Sequence, residues 1–324
     1  MSFKRAFLAG LVALFAAPAC AQAPAAFPTK QLHFIVPFPA GGTLDVLART
    51  VANELGPALG QSVVVENRPG ASGIIGAELV ARAPADGHTL VIVSNTLVTL
   101  PAMRRDLPFD VFKDFAPVIE LGSTPTVITV HPSFPARDLD GFIGVARKAA
   151  GGINYNSPGI ASPPHLAGEL FARAAGIPLT HVSYRGTQPA VTDLVAGHVQ
   201  VMMAPLNAVL QFIRDKQLYP IAVTDARRSK YLPEVPTLRE AGIRNMPPVS
   251  SWFALLTTGG TPSQVVAKLN AEIASILRNP KIEERLASQT FEIKGGSPEE
   301  LARLMRADAA TNAAIVAQAN IKAE

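Results

Sequence analysis

The stretch FIVPFPAGGTLDVLAR, residues 34–49, joins a β-branched apolar run to a helical pattern through Pro39, Ala40, Gly41 and Gly42. A strand, a glycine turn and a helix start leave backbone N–H groups free beside the positive end of a helix dipole. That arrangement can hold an anion. It can equally be a plain tight turn, and the pattern alone leaves both readings open. Nucleotide binding does not fit, because neither G-x-x-x-x-G-K-[ST] nor G-x-G-x-x-G occurs here. Three further loops share the same order of strand, small residues and helix. They are ENRPGASGIIGAE (66–78), NYNSPGIASPPHLAGE (154–169) and SYRGTQPAVTD (183–193). Four such loops in one chain predict strand ends that face a common crevice, gripping a small anion with N–H groups and hydroxyls.

Catalytic and metal chemistry find less support. None of His33, His88, His131, His165, His181 and His198 sits in an HExxH or other close metal pair. Ser162, His165 and Asp193 occur in triad order, but no G-x-S-x-G elbow surrounds a serine. His165 is expected in the first turn of its helix. Asp45 and Asp193 are expected to satisfy helix-start N–H groups. No cofactor is indicated. The net charge is +4 with a pI of about 9.3. No Lys/Arg run is interleaved with aromatics, which argues against nucleic acid, and DARRSK (225–230) reads as a solvated loop.

The elements that must position these loops alternate. LHFIVPF, SVVVEN and HTLVIVSN read as buried strands. Leu47, Val51, Leu55 and Leu59 recur every fourth residue and mark one helical face between the first two. IIGAELVARA reads as the second helix. The middle continues with strands at VITVHPS, GINYNS, THVSYRG, QVMMAPL and YPIAVTD, separated by helical segments. A strand at SSWFALLTTG, a long helix, a strand at FEIKGG and a last helix opened by the Ser297–Glu300 capping box complete the chain. This order predicts an α/β fold with parallel pairing. Short strands near residues 123–125 and 245–250 are the expected crossings between two lobes.

The N-terminus begins MSFKR, followed by an apolar run of about a dozen residues and ACAQA. This is the pattern of a signal peptide over residues 1–21, and its removal leaves a net charge of about +2. Cys20 is the only cysteine, and the residues before it suit a lipoprotein site poorly. Export and the absence of a later span predict a soluble periplasmic protein.

With these loops laid out, the chain resembles the Bug-type periplasmic solute-binding receptors of tripartite tricarboxylate transport systems. ENRPGASGIIGA followed by PADGHTL carries the likeness, as does HLAGELF followed by HVSYRG. The resemblance implies a type II-like, two-lobed periplasmic binding-protein fold with its ligand in the interlobe cleft. Each lobe would be a mainly parallel sheet flanked by helices. Residues 28–125 and 250–324 would form one lobe and 126–249 the other. It implies capture of a small carboxylate by a monomer that delivers it to a membrane permease, without chemistry. A sensor of the same fold feeding a signalling partner is the alternative, and a periplasmic hydrolase a remote one.

Carried over by position, the ligand-binding residues are Pro39, Ala40, Gly41, Gly42, Thr43, Leu44 and Asp45, then Ala71, Ser72 and Gly73. The second lobe supplies Ser157, Gly159, Ala161 and Ser162, with Tyr184, Gly186 and Thr187. Asn95 and Ala204 stand at further strand ends. Several positions depart from the family pattern. Leu44 puts a branched apolar group near the carboxylate pocket. Pro158, Ile160, Pro163 and Pro164 stiffen a loop and remove donors. Ala204 replaces an aspartate found in some relatives, which argues against an amino-acid ligand. Asn312 replaces a commonly aromatic residue.

Overall fold

The structure is a computed structural model that describes residues 27–319 and Ile321. The expected signal segment and Cys20 lie outside the described residues.

Three strands, β1 (Leu32–Val36), β2 (Val63–Asn67) and β3 (Thr89–Ser94), pair in parallel in the order β2-β1-β3. Parallel strands need crossovers, and two helices supply them: α1 (Thr43–Leu59) and α2 (Ile74–Ala81). Leu47, Val51 and Leu55 are buried on α1, as their fourfold spacing predicts. A third helix, α3 (Thr96–Met103), follows β3, and the sequence reading assigned no element there.

One long strand then ties the two sheets together. β4 (Phe115–Val130) runs for 16 residues. Its first part pairs antiparallel with β9 (Ser250–Thr258) and β10 (Glu292–Gly295), and β9 also pairs with β3. Its second part, from Thr126, pairs antiparallel with β7 (Val201–Pro205) and β8 (Tyr219–Val223). Beyond β7 lie β5 (Ile153–Ser157) and β6 (Leu179–Ser183), both parallel neighbours. The first lobe therefore has the order β2-β1-β3-β9-β4-β10 and the second β8-β4-β7-β5-β6. Each keeps a parallel core of three strands. The antiparallel strands are the ones that pass between lobes or lie beside the passing strand, so each sheet is mixed.

Helices cover both faces of each sheet. In the first lobe α1, α8 (Ser263–Leu277) and α9 (Pro280–Ser288) enclose a core with Phe34, Leu90, Leu255 and Leu269. On the other face α2, α3 and α10 (Pro298–Ala319) enclose Ile35, Val91, Leu256 and Met305. In the second lobe α4 (Leu139–Lys148) and α5 (Pro163–Ala175) cover Tyr155, Phe142 and Phe171. Its opposite face is closed by α6 (Thr187–Val195) and α7 (Leu206–Arg214) around Met202, Leu194 and Val209. Helix α10 opens with the expected capping box, as Glu300 Oε2 accepts from Ser297 N at 2.7 Å and Ser297 Oγ from Glu300 N at 3.2 Å. Pro262 immediately precedes α8, and Pro280 opens α9.

Candidate ligand site between the lobes

The loops after β1, β2, β3, β5 and β6 meet between the two sheets. After β1, Gly41 adopts φ 78°, and the chain turns into α1 at Gly42. No side chain caps this helix, so the first-turn N–H groups at Thr43, Leu44 and Asp45 have no intrahelical acceptor. Opposite them, α6 starts at Gly186 in the same way, again without a side-chain cap. Two helix N-termini, one from each lobe, thus aim positive partial charge at one cleft. Helix α5 does not join them. Pro163 and Pro164 lack N–H groups, and Ser162 Oγ already accepts from His165 N at 3.3 Å.

The cleft is lined by Thr43 and Leu44 with Phe38, Ser72, Ser94, Thr96, Ser251 and Phe253 from the first lobe. The second lobe adds Pro158, Gly159, Ile160, Ser162, Pro163, Pro164, Thr187 and Pro205. The side chains are hydroxyls and hydrocarbon, and none is charged. The enclosed space is about 30 Å³, room for a water or two. Outside it, a chamber of about 320 Å³ is lined by Ala71, Ser72, Gly73, Ser183, Tyr184 and Arg185, among others.

Of the residues singled out from the sequence, Thr43, Leu44, Ser72, Gly159, Ser162 and Thr187 line the cleft, and Ala71, Gly73 and Tyr184 the outer chamber. The others take supporting places. Asp45 is buried, and its carboxylate accepts from Gly41 N at 2.9 Å, Arg49 Nε at 3.1 Å and Asn67 Nδ2 at 2.9 Å. Burial opposes its charge, yet these bonds hold its carboxyl below the usual aspartate range. It fixes the glycine turn from behind, and Gly41's N–H is spent on it. Ala40 is exposed at the tip of that turn. Pro39 abuts Gly186 across the cleft, since a Cβ on Gly186 would lie 2.8 Å from Pro39 Cδ.

Asn95 is turned away from the cleft, donating to Ser250 O at 3.0 Å and lying 3.5 Å from Asp308. Ala204 is fully buried inside β7, and the next residue, Pro205, is the one that reaches the cleft. Ser157 and Ala161 shape their loop. Ser157 Oγ lies 2.7 Å from His181 Nε2, and Ala161, at φ 64°, donates its N–H to His165 Nδ1 at 3.3 Å. The two imidazoles stack with centroids 4.0 Å apart. Burial lowers both, to a pKa of about 4 for His165 and about 3 for His181. Asn312 is buried and donates to Thr99 Oγ1 at 2.9 Å.

The triad order is not realised in space. Ser162 Oγ donates to Gly159 O at 2.6 Å. Asp193 accepts from Tyr184 Oη at 2.5 Å and lies 3.3 Å from His198, with no bond to His165. Burial and then this carboxylate push the Tyr184 phenol up to about 12. No group of three or more His, Cys, Asp or Glu suited to a metal exists among the described residues. Sequence reasoning passed over Ser94, Thr96, Ser251, Phe38 and Phe253. Ser94 and Thr96 flank Asn95, and alternation along the strand end was the available signal.

Comparison with known proteins agrees with this geometry. Residues 47–321 match the family described as Tripartite tricarboxylate transporter family receptor. The UPF0065 protein in the tcbD-tcbE intergenic region of Pseudomonas sp. (strain P51) is 38% identical, over 94% of this chain and 91% of its own. Protein BugT of Bordetella pertussis is 34% identical, over 87% and 88%. Among solved structures, R. palustris Rpa4515 with adipate superposes with a TM-score of 0.88 at 34% identity, covering 91% of this chain and 99% of that one. MatC from Rhodopseudomonas palustris with bound malate gives 0.85 at 30%, covering 90% and 100%. The chain belongs to the tripartite tricarboxylate transporter receptor family, the Bug-type periplasmic solute-binding receptors.

Proposed function

We propose that this protein captures a small carboxylate in the periplasm and hands it to a membrane permease, without chemical change to the ligand. The observation that carries the reading is the pair of uncapped helix N-termini, α1 and α6, that face one cleft from opposite lobes. Backbone N–H groups there suit a carboxylate, and the hydroxyls of Thr43, Ser72 and Thr187 stand beside them. We assign ligand contact to these residues with Leu44, Gly159 and Ser162. Pro39, Gly41, Gly42, Asp45, Ser157, Ala161 and Gly186 would shape the loops. Solved relatives with adipate and malate support the ligand class.

We place the lobe boundaries at residues 125/126 and 249/250, a reading supported by the change of partners along β4 and by the pairing of Ser250, where β9 begins, with Pro125. No helix among the described residues is long and apolar enough to cross a membrane. The permease partner follows from the family. The test is a thermal melt of the purified chain against a panel of mono-, di- and tricarboxylates, with native mass spectrometry for a co-purified acid. A saturable rise in Tm for at least one acid is expected. A flat response across the panel with no bound acid refutes the reading, and so does ester or amide turnover that disappears in Ser162→Ala.

A further inference from the structure

The stretches HLAGELF and HVSYRG each open on a histidine, His165 and His181. Neither ring lines the cleft, yet both bond the loop that does. We propose that this stacked pair positions the cleft wall at residues 158–162, each imidazole through its own hydrogen bond. Ligand affinity then depends on two side chains that do not touch the ligand. This rests on the carboxylate-receptor reading for its ligand and assigns positioning residues to that site.

The wall is a strained segment. Pro158, Gly159, Ile160 and Ser162 line the cleft, and among them Gly159 has φ 151° and Ala161 φ 64°. A left-handed alanine persists only where its surroundings over-determine it. Ala161 is fully buried and belongs to the first lobe's apolar cluster with Val93, Leu97 and Trp252. Its N–H is therefore cut off from bulk water and needs a protein acceptor. His165 Nδ1 supplies one at 3.3 Å.

The second bond comes from β6. Gly159 N donates to Ser157 Oγ at 3.2 Å, and Ser157 Oγ lies 2.7 Å from His181 Nε2. The hydroxyl has one proton, and the shorter contact directs it to the ring in preference to Gly159 O at 3.2 Å. Both rings thus accept from the loop, His165 through Nδ1 and His181 through Nε2. Each must be neutral, with its proton on the other nitrogen. Burial favours the neutral form, and a stack with centroids 4.0 Å apart disfavours charge on both rings. The titratable side chains beside the stack are Tyr155, whose ring lies 5.1 Å from His181, and Glu169, which accepts from Tyr155 Oη at 2.7 Å. No carboxylate bonds either ring among the described residues.

Heteronuclear NMR of the imidazoles in the purified full chain reads the tautomers at neutral pH. His165 is expected to carry its proton on Nε2 and His181 on Nδ1. Titration calorimetry then compares His165→Asn with His165→Phe, using adipate and malate as probes. Asn offers an oxygen near the place of Nδ1, whereas Phe keeps a ring and leaves the Ala161 N–H without an acceptor. In H165F the free chain relaxes the loop until that N–H finds water, and binding must restore it. H165F is expected to bind about tenfold more weakly, the fold-change of an unsatisfied buried donor. H165N is expected to stay within about threefold of the wild type. Wild-type affinity in H165F overturns the proposal, as does an equal loss in both variants, or a proton on the nitrogen that faces the loop in either ring. If H165F does not fold, the tautomers and H165N decide. If no acid of the carboxylate panel binds the wild type, the receptor reading fails, and the tautomers alone decide whether the rings hold the loop.

Discussion

At the scale of single residues, the chemistry divides into groups that face the ligand space and groups that hold the loops around it. Asp45 illustrates the second kind. Its type and position were legible in the sequence, and so was its tendency to satisfy a helix-start N–H. Its actual partners, Arg49 one turn on and Asn67 from β2, were not, because the second arises only when strands pair. The His165–His181 stack was equally hidden, 16 residues apart in the chain and 4.0 Å apart in the fold. These two imidazoles carry a pH prediction. Burial depresses both pKa values, to about 4 and about 3, from an ordinary value near 6.5. Above about pH 6.5 both folded and unfolded chains hold them neutral, so they give no pH slope there. As pH falls from there towards 4, the unfolded chain takes up protons that the folded chain refuses, and stability declines. At about 1.4 kcal/mol per pKa unit, the pair withdraws on the order of several kcal/mol by pH 4. Urea melts at stepped pH should show this decline, and His181→Gln should flatten it. An equal slope in the variant would remove His181 from the account.

At the scale of elements, the strand-helix alternation was readable because each buried strand is a short β-branched run between turn residues. Two pieces were not readable, for physical reasons. The first half of β4 carries Pro117, Gly122 and Pro125, which signal breaks in a strand. The structure accommodates them through register shifts against β9 on either side of Glu120, and through the close approach of β10, whose Glu292 O would lie 2.5 Å from a Cβ on Gly122. Helix α3 is eight residues long with three β-branched residues and Pro101, so its propensity is poor and its packing against α10 decides it. The glycine loops were read correctly as turns, but which of them meet across the cleft depends on both sheets. Gly186 shows what that meeting demands. It has φ 122°, and any Cβ would press on Pro39. Gly186→Ala is therefore expected to hold the lobes apart and strain its own backbone. Together these should weaken ligand binding by about 1–3 kcal/mol. Titration calorimetry with an acid that the wild type binds would read it. Unchanged affinity would mean that the Pro39 contact forms no part of the liganded state.

At the scale of the whole molecule, the chain passes between the lobes along β4 and again just before β9, and a few other contacts join them. The space between the lobes is small, about 30 Å³, and a turn of one lobe against the other about β4 and the start of β9 would widen access to it. The contacts that favour the closed arrangement then set how long a ligand stays. One of them is a direct bond, Asn207 Nδ2 at the start of α7 donating to Thr43 Oγ1 at the start of α1, at 3.1 Å. Both ends are neutral, so it contributes about 0.5–1.5 kcal/mol to closure and nothing to long-range capture. Asn207→Ala removes it while leaving Thr43 free to face the ligand. The closed population falls, the apparent affinity falls with it, and release quickens by about three- to tenfold. Association, governed by encounter with the open form, stays close to the wild-type rate. Stopped-flow measurement of both rates separates these effects. Combining Asn207→Ala with Thr43→Val tests the pairing itself. If the two side chains act through their mutual bond, the double variant releases ligand more slowly than two independent losses would predict. Strict additivity of the two losses would assign each residue a separate role and leave closure to the other contacts between the lobes, such as Arg173 Nη1 of α5 donating to Gln318 O of α10.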